Sequence, residues 1–132
     1  MSANAKDRAS RPDERQCAML IAHLLATKQS EVEKEVTRAR LAEITVRRLF
    51  RRQRITPAFL VEVQEWLLRA GWVLFFAGTT YAVVKIKVID GWGRISSKRI
   101  GEDLDQVARG HFKFHEIEKL LLVSAADTPD ED

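Results

Sequence analysis

Seven arginines fall between Val36 and Arg54: Arg38, Arg40, Arg47, Arg48, Arg51, Arg52 and Arg54, against a single acid, Glu43. The guanidinium is a planar fork that holds a phosphate through two hydrogen bonds, or reads guanine from the major groove. Duplex DNA presents closely spaced phosphates, and each one neutralised releases counterions. The bland alternative is a solvated helix face, but such faces mix signs, with acids four residues from bases. Seven to one is not mixed, and the mutual repulsion is a cost unless an anion offsets it. A second basic group follows: Lys85, Lys87, Arg94, Lys98 and Arg99, against Asp90. It suits either phosphate contact or the blunting of an edge strand by lysine.

Charge is unevenly distributed. The chain has 132 residues and a net charge of +3. Residues 36–54 are net +6, residues 36–101 net +9, and residues 102–132 net −6, so an acidic end hides a basic middle. A basic middle points to an anionic partner. Double-stranded DNA is the expected one, and an acidic protein surface, including the chain's own acidic end, is the alternative.

Other chemistries have little behind them. His111 and His115 have the i, i+4 spacing that sets two metal ligands on one helix face, but no third ligand is clearly placed. His115-Glu116 opens a zincin-like string in which Lys119 stands where the second histidine belongs. Cys17 lies on an apolar helical pattern and reads as a buried thiol. There is no phosphate-loop, dinucleotide or nucleophile-elbow motif. No catalytic residue, metal or cofactor is expected. Trp66 and Trp72 fall on predicted core positions, while Trp92, in a glycine turn beside Arg94, is the one tryptophan left open for base stacking.

These side chains need elements to position them. Pro12, Asp13 and Glu14 suit a helix start, and Cys17, Leu20, Ile21, Leu24 and Leu25 recur at helical spacing. A first helix is therefore predicted over Asp13 to Thr27, with the charged Lys28 to Glu35 either continuing it or linking it to the next. Thr37 is the candidate cap of a second helix, to about Arg52, burying Leu41, Ala42, Thr45, Val46, Leu49 and Phe50. On that helix Arg40, Arg47, Arg51 and Arg54 would form one stripe. Thr56-Pro57 is a strong start for a third helix, carrying Phe59, Leu60, Val63, Trp66 and Leu67 and closed by Gly71. Trp72 to Ala77 and Thr80 to Ile89 read as two strands joined at Gly78-Thr79. Asp90 to Gly93 is a turn. A short helix near Ser97 to Gly110 follows, then a last amphipathic helix with Phe112, Phe114, Ile117, Leu120, Leu121 and Val123.

The segment TPAFLVEVQEWLLRAGWVLFFAGTTYAVVKI, Thr56 to Ile86, resembles the recognition helix and wing of winged helix-turn-helix domains. The resemblance extends in pattern over about residues 13–89. It implies an α+β, mostly helical fold: a winged helix-turn-helix with a two-stranded β-hairpin wing and C-terminal helices. It also implies DNA binding without catalysis, as in a transcriptional regulator. In such domains the helix before the hairpin enters the major groove. Here that helix carries Glu62 and Glu65 with only Arg69 basic. Base reading is therefore expected from Thr56 and Ala58 at its start or from Arg47 and Arg51, and phosphate binding from Arg40, Arg47, Arg48, Arg51, Arg52 and Arg54 with Lys85, Lys87, Arg94, Lys98 and Arg99. Acids on that helix also favour the alternative, an adaptor that docks an acidic partner.

A single domain is expected over residues 12–123, between a disordered arm, 1–11, and a disordered acidic tail, 124–132. The last helix offers a surface for a homodimer. No run is apolar enough to span a membrane, and the polar Met1 to Pro12 lacks the centre of a secretory signal. A lone cysteine agrees with a reducing, cytoplasmic compartment.

Overall fold

Asp13 opens the first helix. Its carboxylate accepts from the backbone N–H of Gln16 (2.8 Å), and the Gln16 side chain accepts from the N–H of Asp13 (3.0 Å). This reciprocal box satisfies two donors that a helix start leaves over. Helix α1 spans Glu14–Val32, so Asp13 is its cap and Lys28 to Val32 continue it past Thr27. Cys17, Ala18, Ile21 and Leu25 form its buried face. The computed structural model describes residues 10–122. The predicted acidic tail and nearly all of the predicted arm lie outside the described residues.

The predicted second helix is corrected. Arg38–Ala42 is a strand, β1, and the helix that follows, α2, covers only Glu43–Phe50. Thr37 caps nothing: its carbonyl accepts from the Lys85 N–H (2.8 Å). Ala39 and Leu41 turn inward while Arg38, Arg40 and Ala42 stay exposed. This alternation has the period of a strand, two residues. Thr80 Oγ1 adds a hydrogen bond to the Leu41 carbonyl (2.9 Å). On α2, Val46 and Phe50 are buried and Thr45 is exposed; Ala42, also expected in the buried face, is exposed at the end of β1.

Helix α3, Pro57–Arg69, matches its predicted start and stop. The Thr56 hydroxyl accepts from the Phe59 N–H (3.2 Å), and proline takes the first turn. Gly71, at φ 90°, leaves the helix in the left-handed region, where a Cβ is strained. The chain runs directly into β2, Trp72–Phe76, turns at Gly78 (also φ 90°) and returns as β3, Thr80–Lys85.

The sheet is antiparallel, in the order β1-β3-β2. The expected hairpin is therefore two strands of three. Arg40 pairs with Ala82, which pairs with Phe75; Ala39 pairs with Val83, which pairs with Leu74. The inner face, with Leu74, Tyr81 and Val83, joins Cys17, Ile21, Val46, Phe50, Val63 and Leu67 in one core. The second strand is shorter than predicted. After Lys85 the chain makes a single helical turn, α4, Ile86–Ile89, so Lys87 and Ile89 are not on a strand. The ladder closes where the Ile86 N–H donates to the Gly71 carbonyl (2.9 Å).

The chain divides into a larger unit ending at Trp92 and a smaller one beginning at Gly93. The smaller unit holds a 3-10 turn, Ser97–Ile100, and helix α5, Gly101–Ala108. The predicted last helix is not continuous: Phe114–Glu116 and Glu118–Leu121 are separate 3-10 turns. Phe114, Leu120 and Leu121 stay exposed there. A short helix with no buried face is marginal in water, so the apolar residues expected on one helix face, Phe114, Ile117, Leu120 and Leu121, are carried on two separate turns and their junction instead. Among the described residues no helix is long and apolar enough to cross a membrane. The fold is α+β with a small three-stranded sheet.

Candidate nucleic-acid interface

The arginines gather at the end of α2, and only partly as a stripe. Arg40 lies on β1 and Arg54 lies beyond the helix, so four residues on one helical face become two, Arg47 and Arg51. Arg51 ends the helix in the left-handed region, at φ 57°. Residues Ile44, Arg47, Arg48, Arg51, Arg52 and Gln53 line an open hollow of about 470 Å³. Four guanidinium groups thus border one concavity, and the exposed Arg54 follows in the turn to α3.

Their commitments differ. Arg47 pairs with Glu43, one turn back (3.2 Å). Arg51 donates to the Ser10 hydroxyl. Arg52 donates to the carbonyls of Pro12 (2.7 Å) and Phe50 (3.0 Å), with its guanidinium 4.0 Å from the centre of the Phe59 ring. Arg51 and Arg52 therefore tie the end of α2 to the chain entering α1. A guanidinium has five donors, so Arg52 keeps part of its fork for a ligand. Among the described residues the side chains of Arg38, Arg40, Arg48 and Arg54 make no ion pair or hydrogen bond. Among the described residues, an acid relieves the repulsion between clustered guanidiniums at Arg47 alone.

The second basic group is not a patch at the hairpin tip. The tip, Ala77 to Thr80, is uncharged. Lys85 sits at the hairpin base, opposite Trp72 and 5.5 Å from its ring centre. Both Lys85 (3.0 Å) and Lys87 pair with Glu35. The hydrogen bonds from Lys87 and Lys85 hold the Glu35 carboxyl below its usual range. One carboxylate thereby offsets one of two ammonium charges. Arg94 and Lys98 are exposed in the smaller unit, and Arg99 lies in its first 3-10 turn.

Helix α3 turns Val61, Glu62, Glu65 and Leu68 outward. Thr56 is exposed, with its hydroxyl occupied as the helix cap. This face offers two acids and two aliphatics, a poor match to phosphate. Trp72 is buried as predicted; Trp66 is half-buried with Arg15 (5.2 Å) and Arg69 (4.5 Å) over its ring. Trp92 is 57% exposed.

The remaining chemistry is quiet. His111 and His115 do not share a helix; His115 lies in a 3-10 turn and His111 precedes it. Among the described residues no group of three or more His, Cys, Asp or Glu could hold a metal ion. Cys17 is fully buried, and burial pushes its thiol up to about 12, so it is protonated at neutral pH and no nucleophile.

Two features escaped the sequence. The anchoring role of Arg51 and Arg52 depends on carbonyls and a hydroxyl about 40 residues earlier, for which no local pattern exists. The other is the exposed pair on strand β1, Arg38 and Arg40, for which the alternation with Ala39 and Leu41 is the local signal that the helical reading passed over. Compared with protein-family models, curated proteins and solved structures, the chain finds no match.

Proposed function

We propose that the chain is a non-catalytic duplex-DNA-binding protein of winged helix-turn-helix type, acting in transcriptional regulation. In this reading α2 and α3 are the helix-turn-helix and β2–β3 is the wing. The order helix, strand, helix, helix, hairpin supports it, with β1 beside the hairpin as a third strand. One observation carries the function: the hollow at the end of α2, bordered by Arg47, Arg48, Arg51 and Arg52 with Glu43 as the one acid paired there. In helix-turn-helix domains the first helix crosses the phosphate backbone. Helix α2 has the charge for that role, whereas the acids of α3 suit it poorly. Affinity then comes mainly from phosphates, and sequence discrimination is modest.

The test is a titration of a random duplex at two salt concentrations, with the wild type and the Arg48→Ala, Arg54→Ala double variant. Among the described residues these two side chains have no partner, so the variant should keep its stability. Its salt slope should fall by about two, one for each phosphate that is no longer neutralised. An unchanged slope, or no wild-type binding at low salt, defeats the reading. A second reading, a protein-interaction adaptor, rests on the outward Val61, Glu62, Glu65 and Leu68 of α3. It predicts that Val61→Asp abolishes partner capture and leaves duplex binding alone.

A further inference from the structure

The hairpin ladder determines which backbone groups of β1 are left over. The Ala77 N–H donates to the Thr80 carbonyl (2.7 Å) and the Ile86 N–H to the Gly71 carbonyl (2.9 Å). In an antiparallel ladder, residues alternate between bonding one neighbour and the other. Thr80, Ala82, Val84 and Ile86 therefore bond toward β2, and Tyr81, Val83 and Lys85 toward β1. The Lys85 N–H, donating to the Thr37 carbonyl, fits that phase. With the observed register, Thr37, Ala39 and Leu41 face β3. Arg38 and Arg40 then direct both N–H and C=O to the open edge, and among the described residues nothing bonds them there. The opposite edge differs: on β2 the Leu74 carbonyl already accepts from Gln64 Nε2 (3.0 Å), on α3.

The same two residues carry the exposed guanidiniums of the strand. They stand on the outer sheet face, Arg38 in line with Val84 and Val73, Arg40 in line with Ala82 and Phe75. Phe75 is 43% exposed, so this face is partly apolar. The inner positions of β1, Ala39 and Leu41, are half-buried.

We propose that the open edge of β1 docks an extended acidic peptide of a partner protein as a fourth strand. Backbone groups of Arg38 and Arg40 supply the hydrogen bonds, and their side chains select the sequence. Main-chain bonding gives such additions their affinity, and alternate side chains give specificity. An added strand sets every second side chain beside the arginines, so the peptide carries acids at alternate positions with apolar or small residues between. Opposite charges facing across a ladder stabilise it, and like charges destabilise it. A second copy of β1 would set arginine against arginine, which disfavours self-pairing. This site is separate from the hollow at the end of α2 and does not depend on DNA binding.

The probe is the blocked peptide acetyl-Thr-Glu-Val-Glu-Val-Glu-Thr-amide, titrated into the full chain and followed by backbone amide shifts. Shifts centred on Arg38 to Leu41 are expected. Replacing both arginines by glutamate (R38E with R40E) should reverse the preference, so that the same peptide with lysine for glutamate binds instead. N-methylating alternate residues of the peptide keeps its charge and should weaken binding about tenfold or more by removing backbone hydrogen bonds. Arg40→Pro should do the same, because it deletes an edge-facing N–H and spares those of Ala39 and Leu41. Shifts centred on Arg48, Arg51 and Gln53, or equal binding of the plain peptide and both N-methylated registers, overturn the proposal. The peptide experiments need no variant to fold.

Discussion

A guanidinium can serve a ligand or the fold, and sequence alone does not say which. The cluster between Val36 and Arg54 is legible as chemistry from composition. Its division of labour is not, because the partners of Arg51 and Arg52 are a serine hydroxyl and backbone carbonyls, which have no sequence signature. The same holds for Lys85 and Lys87, whose charges count toward a basic region until Glu35 is found between them. Glu35 yields a prediction. Its carboxyl is held low by the two lysines, so the pairing is complete at neutral pH and is lost only as pH falls through that depressed range. Any stability it adds follows the same sign, present above the ordinary carboxylate range and lost with acid; for an exposed group it is small. Glu35→Gln frees both ammonium groups at neutral pH. If the hairpin base approaches a duplex, this variant binds more tightly and its salt slope steepens by about one to two. An identical slope removes Lys85 and Lys87 from the interface.

Elements set by local rules were the ones readable in advance. Helix α3 has its cap, its first-turn proline and its closing glycine within the segment itself, so Thr56, Pro57 and Gly71 marked its bounds. Strand β1 obeys no such closure. Arg38 to Ala42 contains good helix formers, and Leu41 and Ala42 fit the helical spacing of Val46, Leu49 and Phe50. Pairing with residues some 40 positions later decides the outcome, and the alternation of Arg38 and Arg40 with Ala39 and Leu41 is the only local trace of it. The last predicted helix fails for a related reason: the helical spacing is present, but no described neighbour buries its face. At this scale Arg52 is the joint between α2 and the chain entering α1. Arg52→Ala removes charged hydrogen bonds to Pro12 and Phe50 and the stacking on Phe59, and should cost about 2 kcal/mol in urea denaturation. Arg48→Ala, with no partner among the described residues, should stay within about 0.5 kcal/mol. Equal effects from the two would show that Arg52 is as free as Arg48.

For the whole molecule, the net charge of +3 is a poor guide, since an end of −6 offsets most of a segment of +9. The core is as unevenly distributed as the charge. Every member of the buried cluster lies between Cys17 and Val83, and the half-buried residues packed on it, such as Leu41, Leu49 and Phe59, fall within the same span. From Gly93 to Leu122 no side chain is buried among those described, although Ile95, Leu104, Phe114 and Leu121 are apolar. Hydrophobic burial is the main favourable contribution to folding, so cooperative stability should reside in the larger unit. A chain ending at Trp92 should then unfold in one transition. Its midpoint by circular dichroism should lie within about 4 °C of the full chain's, the shift that roughly 1 kcal/mol produces in a domain of this size. It also keeps all seven arginines between Val36 and Arg54 while shedding Arg94, Lys98 and Arg99. If the hollow at the end of α2 carries the phosphate contacts, the shortened chain retains the salt slope of the full one. A slope lower by about two or three with the midpoint unchanged would move part of the interface into the smaller unit. A missing transition would mean that the core between Cys17 and Val83 cannot stand on its own.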